Sequence, residues 1–491
     1  MLKFIKERLL TPYCLCDKLT DLVAKLLVVF LCAATVIVYN QSYYGGEDIE
    51  YPLTGNFEDY DPYVQQFDAY MKGRVSFDYT PDEEFMQLDN PYDPQEREEE
   101  TFLYDRSYYN GKYYSYFGNA PIFTMIYPYY FIMGRIPSQG VIQTVYMTLF
   151  AIFFPILVMN LAKKVSSRVT PLLAMLVTYT AYISSLNLLI GRGDAPFYYI
   201  AVTSAMAFLV MFGYFLFKGV SSDRFRNRCM YFIAAGMAYA LCFHSRVNVA
   251  FGAVFFIIPV VIFGIILKKR KITKFRILVE LCSLGLFVII GMGASLAYNY
   301  VRFDNLFEFG ATYQLTVADV STYSLDITEF GKAVYCYFIE PVHRSMIDDK
   351  LIFTDQVDFS MNRYLYVDSY FGIMSVPFML FVPAVAFVCV RKPENKALNI
   401  TLIAATCGTV ITAWIDFCLG GLIFRYLGDI SVILAVIAAI CACTCVDGIC
   451  ALRNEKVRII LYAAMVTLLV VFLYRGFEIT LVDNYNLMEL S

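Results

Sequence analysis

The chain has 491 residues, 59% of them hydrophobic and 17% charged. A soluble protein this apolar would expose more greasy surface than water tolerates, so composition excludes that class. The formal net charge of −4 decides little, because the charges are segregated along the chain.

Residues 1–21 carry Lys3, Lys6, Arg8 and Lys18 and stay inside by the positive-inside rule. Residues 22–40 form a first span without a small-residue cleavage site, an uncleaved signal anchor. Residues 41–140 then lie outside, acidic and Tyr-rich up to Asp105, with no run long enough to cross. The stretch 119–133 is apolar but short and carries Pro121 and Pro128, which suits an interfacial or re-entrant helix. Parity then fixes ten further spans, at about 141–162, 169–190, 195–217, 229–245, 247–267, 277–299, 370–390, 397–416, 426–446 and 459–475. Every basic loop falls on the inner side: Lys163, Lys164 and Arg168; 218–228; 268–276; 391–396; and 447–458. The expected fold is therefore all-α and polytopic, with eleven crossings, the N-terminus cytoplasmic and the C-terminus extracytoplasmic. Its units are a core of spans at 141–299, a second outer loop at 300–369, C-terminal spans at 370–475 and an outer tail at 476–491.

The inner loops are too short to hold a catalytic domain, and no P-loop or dinucleotide fingerprint occurs, so chemistry is expected on the outer side. In the first outer loop, Asp61-Pro62 opens a helix that Gly73 closes, with Asp61 as N-cap. Val64, Phe67 and Met71 share one face, the pattern of a helix lying flat on the bilayer. Asp59 has no such structural task; beside it Glu58 is the fallback, and both also read as solvated loop acids. A carboxylate here, at the water–lipid boundary, suits proton removal from an acceptor hydroxyl. Farther on, Tyr108-Tyr109-Asn110-Gly111-Lys112-Tyr113-Tyr114 reads as a hairpin around an Asn-Gly turn. It is either a plain surface hairpin or, with Tyr60 and Asp105, a substrate wall. Tyr109 and Tyr113 would then stack on sugar faces and Lys112 would meet a phosphate.

Several stretches carry a family resemblance: EDYDPYVQQFDAYMKG at 58–73, NPYDP at 90–94, DRSYYNGKYYSYFGNAP at 105–121, AAGMAYALCFHSR at 234–246, NYVRFDNLFEFGATYQL at 299–315 and RYLGD at 425–429. In this order they resemble the bacterial branch of the GT-C glycosyltransferases, relatives of protein O-mannosyltransferases and of aminoarabinose transferases. Asn119 and Val247 stand where relatives more often have Pro. The resemblance implies a polyprenyl-phosphate sugar as donor and a cell-envelope glycan, lipid or protein as acceptor, usually with inversion. It also implies an acid of the first outer loop as general base, which Asp59 matches best with Glu58 and Asp61 near.

A leaving phosphate needs positive charge at the membrane face, and Arg246, Arg302 and Arg425 all sit at outer ends of spans. Each alone reads equally as a snorkelling anchor; their shared side, where Arg is disfavoured, points to a phosphate site. Asp429 is placed to pair with Arg425 at i, i+4. His244 and His343 are the only histidines and do not make a zinc site. No cofactor or metal is expected, although a divalent cation held by loop acids, as in oligosaccharyltransferases, stays open. The 14 cysteines sit mostly in apolar runs and form no disulfide framework. In the second outer loop, residues 328–344 read as another interfacial helix, with Phe330, Val334, Tyr337 and Phe338 on one face. Membrane lipid is an expected partner and nucleic acid is not. The competing function is a transporter or flippase of a lipid-linked saccharide, which should place its polar groups near the bilayer midplane.

Overall fold

The computed structural model describes residues 11–40, 46–97, 101–191, 196–267, 273–342, 344–347, 350–353 and 371–481. Lys3, Lys6 and Arg8, residues 268–272 of the basic 268–276 loop, His343 and residues 482–491 of the tail lie outside them. In chain order the helices are α1 (Lys18–Asn40), α2 (Pro62–Met71), α3 (Ile122–Met133), α4 (Gln139–Val165), α5 (Pro171–Ile190), α6 (Pro196–Ser221) and α7 (Phe225–Ser245). They continue as α8 (Val247–Ile266), α9 (Lys274–Phe303), α10 (Pro377–Arg391), α11 (Lys396–Gly420), α12 (Phe424–Cys450) and α13 (Glu455–Leu481). Among the described residues, nine helices, all but α2, α3, α7 and α10, are long and apolar enough to cross a membrane. Strand is confined there to three two-stranded ribbons.

Side-chain caps start several of these helices. Ser138 accepts from Val141 N at the head of α4, Thr170 from Leu173 N before Pro171 of α5, and Asn395 from Leu398 N before α11. The apolar helices then pack around α12, which touches α4, α5, α6, α8, α10, α11 and α13. Glycines let backbones approach: a Cβ on Gly236 of α7 would stand 2.4 Å from Leu284 O of α9. By contrast α9 and α13 have only 11% of their most apolar window buried. Surface that greasy and that open to its surroundings is the character of a multi-pass membrane protein.

The bundle has two distinct ends. At one, Arg228 of α7 forms a bidentate pair with Glu280 of α9, at 2.6 and 2.7 Å, and also donates to the Val220 and Ser222 carbonyls. Asp447 of α12 accepts there from the Ser166 hydroxyl, from Ser167 N and Arg168 N, and from Lys392 Nζ after α10. At the other end residues 46–97 and 101–138 fold over the helix termini, and the ring of Phe371, just before α10, packs tilted against Phe424 at the head of α12. Thus α7 and α10, though less apolar or shorter than the nine, also run from one end to the other.

The first loop differs from expectation in one element. Helix α2 is not a flat helix with one face to lipid, because Pro62 through Ala69 are all buried. Its polar side is covered by the loop itself: Gln65 Nε2 donates to Phe57 O, and Gln66 Nε2 to Val75 O. Beyond it Phe77, Phe85, Leu103, Tyr108 and Tyr113 build a small aromatic core with Leu315. Helix α3, in contrast, leaves Phe123, Phe131, Ile132 and Met133 exposed and ends at Gly134 with φ +71°. It is too short to cross. In the second loop, the helical segment over Phe330–Ile339 buries Ala333, Cys336, Tyr337 and Phe338, while Phe330 stays exposed against Trp414. That segment is docked on α11, with the Tyr337 hydroxyl donating to Gly421 O.

Candidate functional site

The stretches quoted separately from the sequence converge at the loop-bearing end. Ser107–Tyr109 pairs antiparallel with Lys112–Tyr114 around Asn110 (φ +49°) and Gly111 (φ +73°), a turn with both central residues left-handed. The second loop joins this hairpin: Leu315 N donates to Arg106 O, Asp105 N to Leu315 O and Tyr108 N to Tyr313 O. The Ser107 hydroxyl donates to Gly310 O at 2.7 Å. On the bundle side Gly118 sits directly against the end of α7. A Cβ there would stand 2.1 Å from His244 O and 2.4 Å from Ser245 O.

Immediately beyond those carbonyls lies Arg246. Its Nε–H lies 2.6 and 2.7 Å from the two carboxylate oxygens of Asp429, which is fully buried, while the Arg246 side chain keeps 19% of its surface exposed. Asp429 therefore pairs across the bundle with Arg246 rather than along α12 with Arg425. An ion pair held this tightly between helices positions the guanidinium. Arg425 has no acid partner among the described residues; its guanidinium lies over the rings of Tyr198 and Tyr426, at 4.7 and 5.3 Å. Arg246 lies over the same Tyr426 ring at 4.6 Å. Two guanidinium groups thus share one aromatic ring, and one of them is held in an ion pair. Asp416, near the end of α11, stands beside Asp429 and accepts from Asn248 Nδ2.

Helix α2 aims Tyr63 at this cluster. The Tyr63 hydroxyl is buried and has no hydrogen-bond partner among the described residues. Burial, with Tyr146 and Asp61 adding to it, pushes the phenol well up, and Arg246 pulls the other way, so Arg246 lies within its electrostatic reach. Asp105, with φ +58°, accepts from the Tyr198 hydroxyl through Oδ2 and from Gln314 Nε2 at 2.6 Å through Oδ1. Gln314 Nε2 also donates to the Tyr116 hydroxyl at 3.0 Å. Burial, then Asp105, pushes the Tyr116 phenol well up, so it stays neutral. Arg106 is buried and clamps the acidic stretch, with Nε–H donating to Gln65 Oε1 at 2.7 Å and Nη2 to Tyr60 O at 3.2 Å.

The three acids of the first loop take three different positions. Asp61 caps α2 as expected, accepting from Tyr63 N and Val64 N, and its second oxygen accepts from Gln139 Nε2 at 2.8 Å. Glu58 is exposed and accepts from the Tyr79 hydroxyl at 2.7 Å; burial and that bond push the Tyr79 phenol up to about 12. Asp59 is exposed, in a single helical turn over Phe57–Asp59, and its carboxylate has no partner among the described residues. Tyr60 turns its hydroxyl back to accept from Gly55 N at 2.9 Å, a local tie.

Four of the expected residues sit apart from this cluster. Arg302 does not join Arg246 and Arg425: its guanidinium covers Tyr298 at 3.9 Å, and its Nη atoms donate to Ser115 O and Asn299 Oδ1, so it braces the loop. Lys112 is exposed at the hairpin turn, paired with Tyr109 and outside the cluster. Tyr113 is buried in the aromatic core, and its hydroxyl accepts from Leu103 N, so no sugar can stack on it. Tyr109 is taken up by Tyr313 and Phe303, at 4.7 and 5.9 Å. His244 Nε2–H donates to Gly291 O, a packing bond between α7 and α9. Among the described residues no three His, Cys, Asp or Glu are placed to hold a metal ion, and none of the 14 cysteines is in a disulfide. No family model, curated protein or solved structure matches the chain, so the site stands on its own geometry.

Proposed function

We propose that the protein is a polytopic GT-C-like glycosyltransferase of the cell membrane that moves a sugar from a polyprenyl-phosphate donor to an envelope glycan, lipid or protein. In this reading the chain crosses eleven times, and the loop-bearing end is the outer face. The observation that carries it is the pairing of Arg246 and Arg425 around Tyr426, with Arg425 ion-paired to no acid among the described residues. Such a cluster, at the end of apolar helices and roofed by a folded loop, suits an anion that enters from lipid. Its anion is the donor phosphate, and the Tyr63 hydroxyl adds a donor. Asp59 serves as general base. Of the three neighbouring acids it alone has a carboxylate with no partner among the described residues, because Glu58 is engaged by Tyr79 and Asp61 by α2 and Gln139. The acceptor hydroxyl gives its proton to Asp59, its oxygen bonds to the anomeric carbon, and the bond to the phosphate oxygen breaks. The departing lipid phosphate is held by Arg246 and Arg425.

A carrier would share the buried Arg and Asp residues, but these lie at helix ends rather than at mid-helix, which favours surface chemistry. The test is envelope glycan composition by mass spectrometry in the intact strain, a deletion strain and one carrying Asp59→Asn at normal membrane level. One sugar substituent should vanish in both altered strains, with transfer in the variant down by about 10²–10⁴-fold. A glycan lost on deletion but retained by Asp59→Asn would remove Asp59 as base and revive the carrier reading.

A further inference from the structure

The turn that carries Asp59 is tied from behind. Gln65 of α2 is fully buried, and both ends of its amide are engaged. Its Oε1 accepts from Arg106 Nε–H at 2.7 Å, and its Nε2 donates to Phe57 O at 2.8 Å. The amide can face only one way here, because a guanidinium only donates and a carbonyl only accepts. The same guanidinium reaches Tyr60 O through Nη2 at 3.2 Å. One buried arginine thus holds the carbonyls on both flanks of Asp59, directly on one side and through Gln65 on the other. Phe57 O also accepts from Tyr60 N, which closes the Phe57–Asp59 turn. The other side chains of that turn are tied as well: Phe57 stacks on Tyr79 at 6.1 Å, and Glu58 accepts from the Tyr79 hydroxyl. The backbone of Arg106 is itself fixed by the second outer loop, since its carbonyl accepts from Leu315 N.

We propose that Gln65 is a positioning residue: it passes the hold of Arg106 on to Phe57 O and so keeps the turn, and with it the Asp59 carboxylate, in one place. Gln65 touches neither substrate nor the reacting atoms. An exposed acid on a single turn would otherwise sample many positions, and a general base works only within hydrogen-bond reach of the proton it takes. The inference deepens the reading of Asp59 as base and rests on it for its effect on transfer, but the tie itself can be observed without any activity.

Gln65→Glu separates the two bonds. A carboxylate at this position still accepts from Arg106, as a charge-assisted bond, but has nothing to donate to Phe57 O. The first measurement is amide hydrogen exchange by mass spectrometry on the full chain in detergent. Exchange over residues 57–60 should rise by up to about tenfold, the worth of one hydrogen bond. Exchange over 105–117 and the melting temperature should stay at their wild-type values. Gln65→Asn, one methylene too short to span both partners, should raise exchange over the same residues, and it serves where Gln65→Glu does not accumulate. The second measurement is the rate at which the sugar substituent enters the envelope after a short isotope pulse, at matched membrane level. Gln65→Glu should slow it by about 10–10²-fold, less than Asp59→Asn does. Wild-type exchange over 57–60 in both Gln65 variants overturns the proposal. A lower melting temperature with faster exchange across α2 and the hairpin together also overturns it, because that is the mark of a purely structural Gln65. So does raised exchange over 57–60 with transfer at full rate, where Asp59→Asn abolishes transfer. Transfer intact in Asp59→Asn removes the base reading, and the positioning role falls with it, while raised exchange in Gln65→Glu would still show the tie.

Discussion

Gly118 is the residue on which the loop's approach to the charged cluster depends. A Cβ at this position would stand 2.1 Å from His244 O and 2.4 Å from Ser245 O, and neither backbone carbonyl can swing aside. Gly118→Ala must therefore lift the loop from the end of α7. We expect a loss of about 2–3 kcal/mol, read as a lower melting temperature in detergent and faster proteolysis within 46–138. Wild-type stability in Gly118→Ala would mean that the loop docks more loosely than its geometry implies. At this scale the sequence was informative about charge and uninformative about partners. Arg246 and Arg425 stood out because the sequence reading puts them on the outer side, where Arg is disfavoured. Arg302 stood out for the same reason, yet it braces Ser115 O, and nothing in its spacing separates the two roles. Asp416 carried a usable signal, a lone acid at the end of an apolar run, which as a rule marks function. Tyr63 carried none, being one of 40 tyrosines.

At the scale of elements, α2 shows what periodicity can and cannot say. Asp61-Pro62 fixed its start correctly, because a cap and a proline at the first turn are local chemistry. The apolar stripe of Val64 and Phe67 was also real, since both enter the main core. The covering of the opposite face was invisible, because Gln65 and Gln66 look solvated in sequence and are instead bound by Arg106, Phe57 O and Val75 O. It follows that Asp61 works for the site by holding α2, and through it Tyr63, in place. Asp61→Ala removes two bonds to backbone N–H groups and the bond from Gln139. A loss of about 1–2 kcal/mol is expected, with faster amide hydrogen exchange over 62–71 and unchanged exchange in α12. Uniform change across the chain would argue against a local capping role. The hairpin at 107–114 was legible for the same reason as the cap, its Asn-Gly turn being encoded locally. Its third partner, the stretch from Gly310 to Leu315, lies some 200 residues away, and no local signal announces it.

For the whole molecule, the count of crossings decides which side the site faces. Length and composition admit nine helices among the described residues, an odd number like eleven, so the termini alone do not discriminate the two. The discrimination lies in α7 and α10. Helix α7 opens on Arg226 and Arg228, which lowers its apolarity, but Arg228 is tied to Glu280 at one end while Arg246 follows at the other. Helix α10 is short in residues, yet Pro377–Ala384 winds as a 3-10 helix before Val385–Arg391 becomes α-helical. At about 2.0 Å per residue for the first part and 1.5 Å for the second, it reaches roughly 26 Å, close to the hydrocarbon thickness. Lys392 at its end meets Asp447, the same end of the bundle as Ser166. If both helices cross, the basic loops near 222, 394 and 453 all face inward, and the site faces outward. Epitope tags inserted after Ser222, Glu394 and Arg453 should then be reached by antibody only in permeabilised cells, and a tag after Glu83 in intact cells. Access to the Glu394 tag in intact cells would show that α10 does not cross. The Ser222 tag tests the site more directly: accessible from outside, it would put the Arg246–Arg425 cluster on the cytoplasmic face, where a donor and acceptor of the outer envelope could not reach it.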